Sequence, residues 1–106
     1  MADDSVFVQN LVSSDEIMLG VHGDLGYERT EQFQDALNGL LETECSKVTL
    51  NLAEVRKINT ACIGKMLAFR KSLAQRGKRF GIRGCSEGLH KLFNKIRLDK
   101  LIRIER

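Results

Sequence analysis

The dipeptide Asn59-Thr60 is the part of this sequence whose residue types and position could support chemistry. It follows residues 47–52, whose alternating apolar side chains are typical of a buried strand. It precedes an apolar-periodic helix predicted over residues 60–75, with Gly77 as its C-terminal stop. A hydroxyl at a helix N-terminus lies where backbone N–H groups and the helix dipole stabilise negative charge. Thr60 is therefore positioned as a group that could be phosphorylated, and the same position equally suits ordinary helix capping by Thr60 or Asn59.

Enzyme motifs are absent from the sequence, which contains no P-loop, nucleophile elbow or metalloprotease His pair. His22 is predicted on the outward side of a strand and His90 inside a helix, and both are interpreted as surface or structural residues. The widely spaced Cys45, Cys62 and Cys85 form no Cys-x-x-Cys pair, so we expect no disulfide and no structural metal. Cys62 lies in the first turn of the predicted helix, where the pKa of a thiol can fall. We expect a protein that is not an enzyme and needs no cofactor.

Length and composition indicate one domain spanning residues 1–106, because 42% of the 106 residues are hydrophobic and suffice for a core. No apolar run reaches the roughly 18 residues of a membrane-spanning helix. The acidic first five residues lack the basic and apolar layout of a signal peptide. We therefore expect a cytoplasmic protein without membrane insertion.

Charge is divided unevenly along the chain. Residues 1–54 carry two basic and eleven acidic side chains, whereas residues 55–106 carry fifteen basic and three acidic ones. Phe93 is the only aromatic residue after Phe80, so the stacking platforms of single-stranded nucleic-acid binders are missing. The pattern favours electrostatic matching to a protein partner over direct nucleic-acid binding.

Apolar periodicity predicts the order β-β-α-β-α-β-α-β. The predicted strands cover residues 6–12, 16–23, 47–52 and 79–84, and the first two form a hairpin. Residues 101–104 are predicted as a last strand or edge segment. Thr30 is predicted to cap the first helix, whose stripe is Phe33, Ala36, Leu37, Leu40 and Leu41, and Ser86 to cap the third. We expect an α/β fold with a mixed, mostly parallel sheet of four or five strands and three to four helices mainly on one face. Gly81 and Gly84 are predicted to allow a helix or loop to approach closely.

Four segments together resemble the STAS family, the sulfate-transporter and anti-sigma-factor-antagonist domains. Residues 23–25 (Gly-Asp-Leu) look like the family's Gly-Glu-Leu, and residues 48–52 look like its Val-Leu-Asn-Leu strand. Residues 59–64 (Asn-Thr-Ala-Cys-Ile-Gly) take the place of its Asp-Ser-Ser-Gly-Leu-Gly signature, and residues 92–98 are similar to its closing helix. The resemblance covers nearly the whole chain and implies a single STAS domain.

The resemblance also implies a function. In bacterial members of this size, the residue after the signature Asp is the regulatory phosphoacceptor, which corresponds to Thr60. The implied protein is an anti-sigma-factor antagonist whose unphosphorylated form binds a GHKL-type anti-sigma kinase and releases a sigma factor. Phosphorylation of Thr60 by that kinase then causes the complex to dissociate. A PP2C-type phosphatase is a further candidate partner, and the protein is expected to be a monomer or weak homodimer.

Helical geometry indicates the partner surface. Ile63, Met66, Leu67, Leu73 and Ala74 are predicted as the buried face of the second helix, and the partner is expected on the opposite face. Phe69 lies at the boundary, either as an interface anchor or as edge-of-core packing. The predicted partner-binding residues are Asp24, Arg56, Lys57, Asn59, Ala61, Cys62, Lys65, Ala68, Phe69 and Ser72.

The signature also departs from the family pattern. Asn59 replaces the Asp, Ala61 the second Ser and Cys62 the Gly, and Gly26 stands at a second acidic position. Two alternatives therefore stay open. One is a non-phosphorylated STAS subunit of a membrane lipid-transport (ABC-type) complex that holds an ATPase through the same surface. The other is a stressosome-like scaffold that forms large homo-oligomers.

Overall fold

The computed structural model describes residues 6–105. Within this range, five strands and three helices form in the predicted order. The strands are β1 (Phe7–Ser13), β2 (Glu16–Val21), β3 (Lys47–Asn51), β4 (Arg79–Arg83) and β5 (Arg103–Glu105). The helices are α1 (Thr30–Asn38), α2 (Thr60–Gln75) and α3 (Glu87–Lys95), with single 3-10 turns at Tyr27–Arg29 and Leu98–Lys100.

The strands lie in the order β1-β2-β3-β4-β5 within one sheet. β1 and β2 form an antiparallel hairpin, and the other neighbouring strands are parallel. Leu50 of β3 lies in register between Leu19 of β2 and Ile82 of β4. The predicted mixed, mostly parallel sheet with an opening hairpin is confirmed.

One face of the sheet carries the core. The strands contribute alternate residues to it, and all three helices contribute to the same cluster. Its members include Leu19, Val21, Val48, Leu50, Phe80 and Ile82 from strands and Phe33, Leu37, Met66, Leu73, Leu89 and Phe93 from helices. The opposite side, which we term the open face, carries the intervening residues of the strands, Thr49, Gly81 and Arg83 among them.

Several local expectations are confirmed. Gly77, at φ 72°, ends α2, and the Ser86 hydroxyl accepts the Leu89 N–H at 3.2 Å as the cap of α3. Gly84, at φ 81°, does permit close approach, because a Cβ there would lie 3.2 Å from the Ala53 side chain.

Other expectations are corrected. Thr30 is the first residue of α1 rather than its cap, and its hydroxyl faces α2 instead. Gly81 lies on the open face, where a Cβ would meet only the Arg103 carbonyl oxygen, so no helix approaches it. Ala74 of α2 is exposed and Leu67 only half-buried, whereas both were predicted to be buried.

Candidate functional site at the N-terminus of α2

Asn59 is the residue that caps α2. Its Oδ1 accepts the backbone N–H of Cys62 at 2.8 Å, which satisfies one of the free N–H groups of the first turn. Its Nδ2 donates to the Leu25 carbonyl at 3.2 Å and lies 3.4 Å from the Thr30 hydroxyl. Both ends of the amide side chain are therefore used, and an Asp here could make only the accepting contact at neutral pH.

Thr60 is the first residue of α2, and its side chain is exposed. Within residues 6–105, its hydroxyl has no hydrogen-bond partner, because Asn59 has taken the capping position. The first turn of this 16-residue helix contains no acidic residue. The structure thus separates the two readings of the dipeptide: Asn59 caps the helix, and Thr60 presents a free hydroxyl at its positive end.

A backbone bridge holds the loop that carries these two residues. The Leu25 N–H donates to the Lys57 carbonyl at 2.9 Å, and the Asn59 N–H donates to the Leu25 carbonyl at 2.9 Å. Leu25 and Ile58 form the resulting parallel bridge, and Leu25 is fully buried. These backbone hydrogen bonds therefore fix the position of Asn59.

The Asp24 carboxylate also holds this loop in place through hydrogen bonds. Its Oδ1 accepts the backbone N–H groups of Arg56 at 2.8 Å and Lys57 at 3.2 Å. These two hydrogen bonds are the main reason that the pKa of Asp24 lies below its usual value. Gly23, at φ 128°, provides the backbone conformation that brings Asp24 to the loop. Asp24 was predicted as a partner contact, and the structure gives it an internal bonding role as well.

Tyr27 and Glu28 are neighbours of this loop that the sequence did not single out. Both lie between Leu25, which is bridged to the loop, and Thr30, which contacts Asn59. Tyr27 is 75% exposed. The Glu28 carboxylate covers Gly26, since a Cβ at Gly26 would lie 2.5 Å from Glu28 Oε1. A carboxylate is thus present beside the position where the family's acid is missing.

Cys62 is fully buried beneath this turn. Its Sγ lies 3.8 Å from the Thr30 hydroxyl. Burial is the largest influence on the thiol and raises its pKa above the usual value, against the lowering by Thr30 and Asn59. Burial therefore outweighs the lowering that a helix N-terminus can cause, and Cys62 packs as a core residue.

The outward face of α2 forms a groove with α1. Lys65, Ala68 and Ser72 line this α1–α2 groove, which has a volume of about 180 Å³. Phe69 also lines it but is only 4% exposed, and its ring packs edge-on against Phe80 with centroids 5.1 Å apart. Of its two predicted roles, packing in the core is therefore the one observed.

The remaining predicted residues lie around the same helix end. Arg56 and Lys57 are exposed in the loop, and Ala61 is half-buried in the first turn. Residues 6–105 contain no group of three or more His, Cys, Asp and Glu side chains that could hold a metal ion. No helix within that range is long and apolar enough to cross a membrane.

Comparison with solved structures identifies the same fold in other proteins. An anti-sigma factor antagonist from Mycobacterium paratuberculosis matches with a TM-score of 0.84 at 14% identity, over 98% of this chain and 88% of that chain. SpoIIAA of Bacillus in its phosphorylated form matches with a TM-score of 0.70 at 15% identity, over 92% and 89%. A sulfate transporter family protein from Wolinella succinogenes matches with a TM-score of 0.75 at 18% identity, over 91% and 80%. At these identities the likeness shows a shared fold.

Family membership follows from the sequence match. The family model described as "Mlab, STAS domain" matches residues 10–103, which include every strand except the first residues of β1 and the last of β5. The match contains the bridged loop, the Asn59 cap and the whole of α2. The chain belongs to the STAS domain family.

Proposed function

We propose that this chain is an anti-sigma-factor antagonist switched by phosphorylation at Thr60. Its unphosphorylated form binds an anti-sigma serine/threonine kinase of the GHKL type and thereby releases a sigma factor. The observation that carries the proposal is the exposed Thr60 hydroxyl, which is free because Asn59 caps the helix. These partners imply a cytoplasmic protein that acts as a monomer or weak homodimer and is reset by a PP2C-type phosphatase.

The physical basis of the switch is a difference between two environments. A phosphate adds about −1.5 to −2 charges. In the free domain, the N-terminus of α2 stabilises that charge, and water solvates it. At a packed interface the same charge must be desolvated, which costs several kcal/mol. Phosphorylation therefore ends binding and leaves the fold intact.

The proposed docking face extends from Thr60 along α2. Lys65, Ala68 and Ser72 offer small or flexible side chains beside the α1–α2 groove, which lets a partner approach closely. Arg56 and Lys57 provide positive charge at its rim. Tyr27 supplies the exposed aromatic side chain of the kind that anchors interfaces. A Bacillus relative of the fold is known in a phosphorylated form, which supports a modification within such a domain.

A second candidate is a STAS subunit of a membrane lipid-transport (ABC-type) complex. Two observations favour it: the matching family model carries the description Mlab, and Asn59 stands where the signature has Asp. Such a subunit would hold an ATPase through the same α2 face without a phosphorylation step.

Affinity capture from the native lysate separates the candidates. Wild type, Thr60→Glu and Ser14→Glu serve as baits, since Ser14 is an exposed residue in the β1–β2 turn. We expect wild type and Ser14→Glu to capture an ATP-binding kinase and Thr60→Glu to bind it at least about tenfold more weakly. ATP added to the captured complex should then place one phosphate on Thr60. Capture of a transporter ATPase by all three baits, with no phosphate transfer, would contradict the switch and support the lipid-transport subunit.

A further inference from the structure

A basic cavity lies at the opposite end of α2 from Thr60. Its volume is about 290 Å³, and it is lined by residues of β3, β4, β5 and the C-terminal half of α2. Of the two α2 residues that line the cavity, Arg70 is the nearer to Thr60. Ten positions separate the two residues, which is about 15 Å along a helix. We propose that this β4 cavity binds a small organic anion that carries a phosphate or carboxylate group on an apolar body. The site is independent of the proposed switch.

Positive charge dominates the walls of the β4 cavity. Six cationic side chains line it: Lys47, Arg70, Lys78, Arg79, Arg83 and Arg103. The lining contains one acid, Glu105, which pairs with Arg103 at 3.2 Å and Arg83 at 3.7 Å. Two further acids border the site: Glu16 accepts the Thr49 hydroxyl at 2.6 Å, and Asp15 lies within electrostatic reach of Arg79 and Lys78. The site therefore keeps a clear excess of positive charge.

Two of the six cations are uncommitted, whereas two others are held by the fold. Arg70 donates from Nε to the Leu101 carbonyl, and Lys78 donates from Nζ to the carbonyls of Thr43 and Cys45. Among residues 6–105, Lys47 and Arg79 have no ion pair and no side-chain hydrogen bond. Arg and Lys side chains that lack internal partners are available to an oxyanion, and Arg can bind one in a bidentate manner.

The depth of the β4 cavity comes from Gly81. This residue lies on the open face, and a Cβ there would meet only the Arg103 carbonyl oxygen, at 3.4 Å. β5 pairs with β4 only over residues 81–83, so the first part of β4 is left open beside the cavity. The exposed side chains of Leu101 and Ala74 add apolar surface to the lining, together with the methylene groups of its Lys and Arg side chains. Basic and apolar walls together favour an anion with an apolar body over a bare inorganic ion.

The probe is octyl phosphate, used below its micellar concentration and measured by calorimetry and by amide shifts in NMR spectra. We expect saturable one-to-one binding with shifts at the amides of residues 79–83. Inorganic phosphate should bind at least about tenfold more weakly, because it leaves the apolar wall unused. Vesicles containing phosphatidylglycerol provide a second arm, which distinguishes a free anion from a lipid headgroup.

Three variants and a matched control decide the proposal. Gly81→Val fills the cavity without changing charge and should weaken octyl phosphate binding at least about tenfold. Lys47→Gln and Arg79→Gln each remove one uncommitted cation and should weaken it about fivefold or more. Lys71→Gln makes the same charge change at an exposed α2 residue outside the cavity and should leave affinity within about twofold. Circular dichroism checks that each variant folds, and the two Gln variants remain informative if Gly81→Val does not.

Several results would overturn the proposal. One is the absence of saturable octyl phosphate binding to wild type. Another is an equal loss in Lys71→Gln, which would indicate diffuse attraction to the basic half of the chain. A third is binding to vesicles alone that Gly81→Val leaves unchanged. Binding of octyl phosphate that Thr60→Glu does not affect would support a site separate from the switch.

Discussion

The side-chain oxygen of Asn59 accepts the backbone N–H of Cys62 at 2.8 Å, and this one contact determines what Thr60 can do. A threonine at the cap would have its hydroxyl turned inward to a backbone N–H. With Asn59 as the cap, Thr60 begins the helix with an exposed hydroxyl. Structural support and the proposed chemistry are thus assigned to adjacent residues and can be tested separately.

Substitution of each residue by alanine should separate these roles. Asn59→Ala removes the cap and the contacts to Leu25 and Thr30, so we expect the free energy of unfolding to fall by about 1–2 kcal/mol. Thr60→Ala removes no contact within the described part of the chain and should change it by less than about 0.5 kcal/mol. Urea unfolding followed by circular dichroism gives both values. Equal losses in the two variants would show that Thr60 shares the capping role.

Phe69 and Tyr27 both lie beside the site, but we expect Phe69 to matter for stability and Tyr27 for partner binding. Phe69→Ala opens a cavity against Phe80 and should lower the free energy of unfolding by about 3–5 kcal/mol. Tyr27→Ala should change it by less than about 0.5 kcal/mol but weaken partner binding about tenfold. Leu11→Ala is the control, because Leu11 is also strongly exposed but lies at the β1–β2 hairpin. A similar loss of binding in Leu11→Ala would argue against an anchor at Tyr27.

Acid stability should depend on Asp24. Hydrogen bonds from Arg56 and Lys57 hold the pKa of Asp24 below its unfolded value, so its contribution is fully present above about pH 4 and is lost as the pH falls through the folded value. Asp24→Asn should therefore be less stable at neutral pH and should show a shallower decline of the free energy of unfolding below about pH 4. Asp15, whose pKa is also lowered by bonds to Ser46, stays in place, so some decline remains.

Urea unfolding at a series of pH values measures this slope. Asp35→Asn is a matched control, because Asp35 is an exposed α1 residue whose carboxylate has no hydrogen bond within residues 6–105. If Asp24→Asn and Asp35→Asn alter the slope equally, the loop contacts of Asp24 do not account for it.

The three thiols should be unreactive in the folded protein. Cys45, Cys62 and Cys85 are all buried, and burial raises the pKa of Cys62 above its usual value and that of Cys85 to about 11. Alkylation at pH 8 should therefore proceed only as fast as the protein opens, and denaturant should accelerate it strongly. Mass spectrometry of each alkylated site provides the measurement. Rapid labelling of Cys62 without denaturant would instead indicate that the helix N-terminus makes this thiol reactive.

Local pattern was sufficient to predict most of the fold. The bounds predicted for α2, residues 60–75, are those observed, because apolar periodicity, a preceding loop and Gly77 all agree there. The hairpin and the parallel order followed from alternation and from the helices between strands. Each of these signals is a short-range pattern among residues that are close together in the sequence.

The errors concern side chains whose roles depend on distant segments. Thr30 is a good capping residue by type, yet its hydroxyl faces Asn59 and Cys62 across the fold. The helix N-terminus favours a low pKa for Cys62, but burial, which the sequence does not show, outweighs it. The position of Glu28 over Gly26 likewise exists only once the loop has closed.

Because of the bridge between Leu25 and Ile58, the proposed switch depends on the folding of distant parts of the chain. The bridge joins the segment after β2 to the segment after β3, so the loop has its shape only when the parallel pair of β2 and β3 has formed. A chain that has opened at this point has lost the Asn59 contact to Leu25 and with it the support of the docking face. Only completely folded copies can then take part in the proposed partner binding, so the proposed signal should scale with the amount of native protein rather than with the total amount of polypeptide.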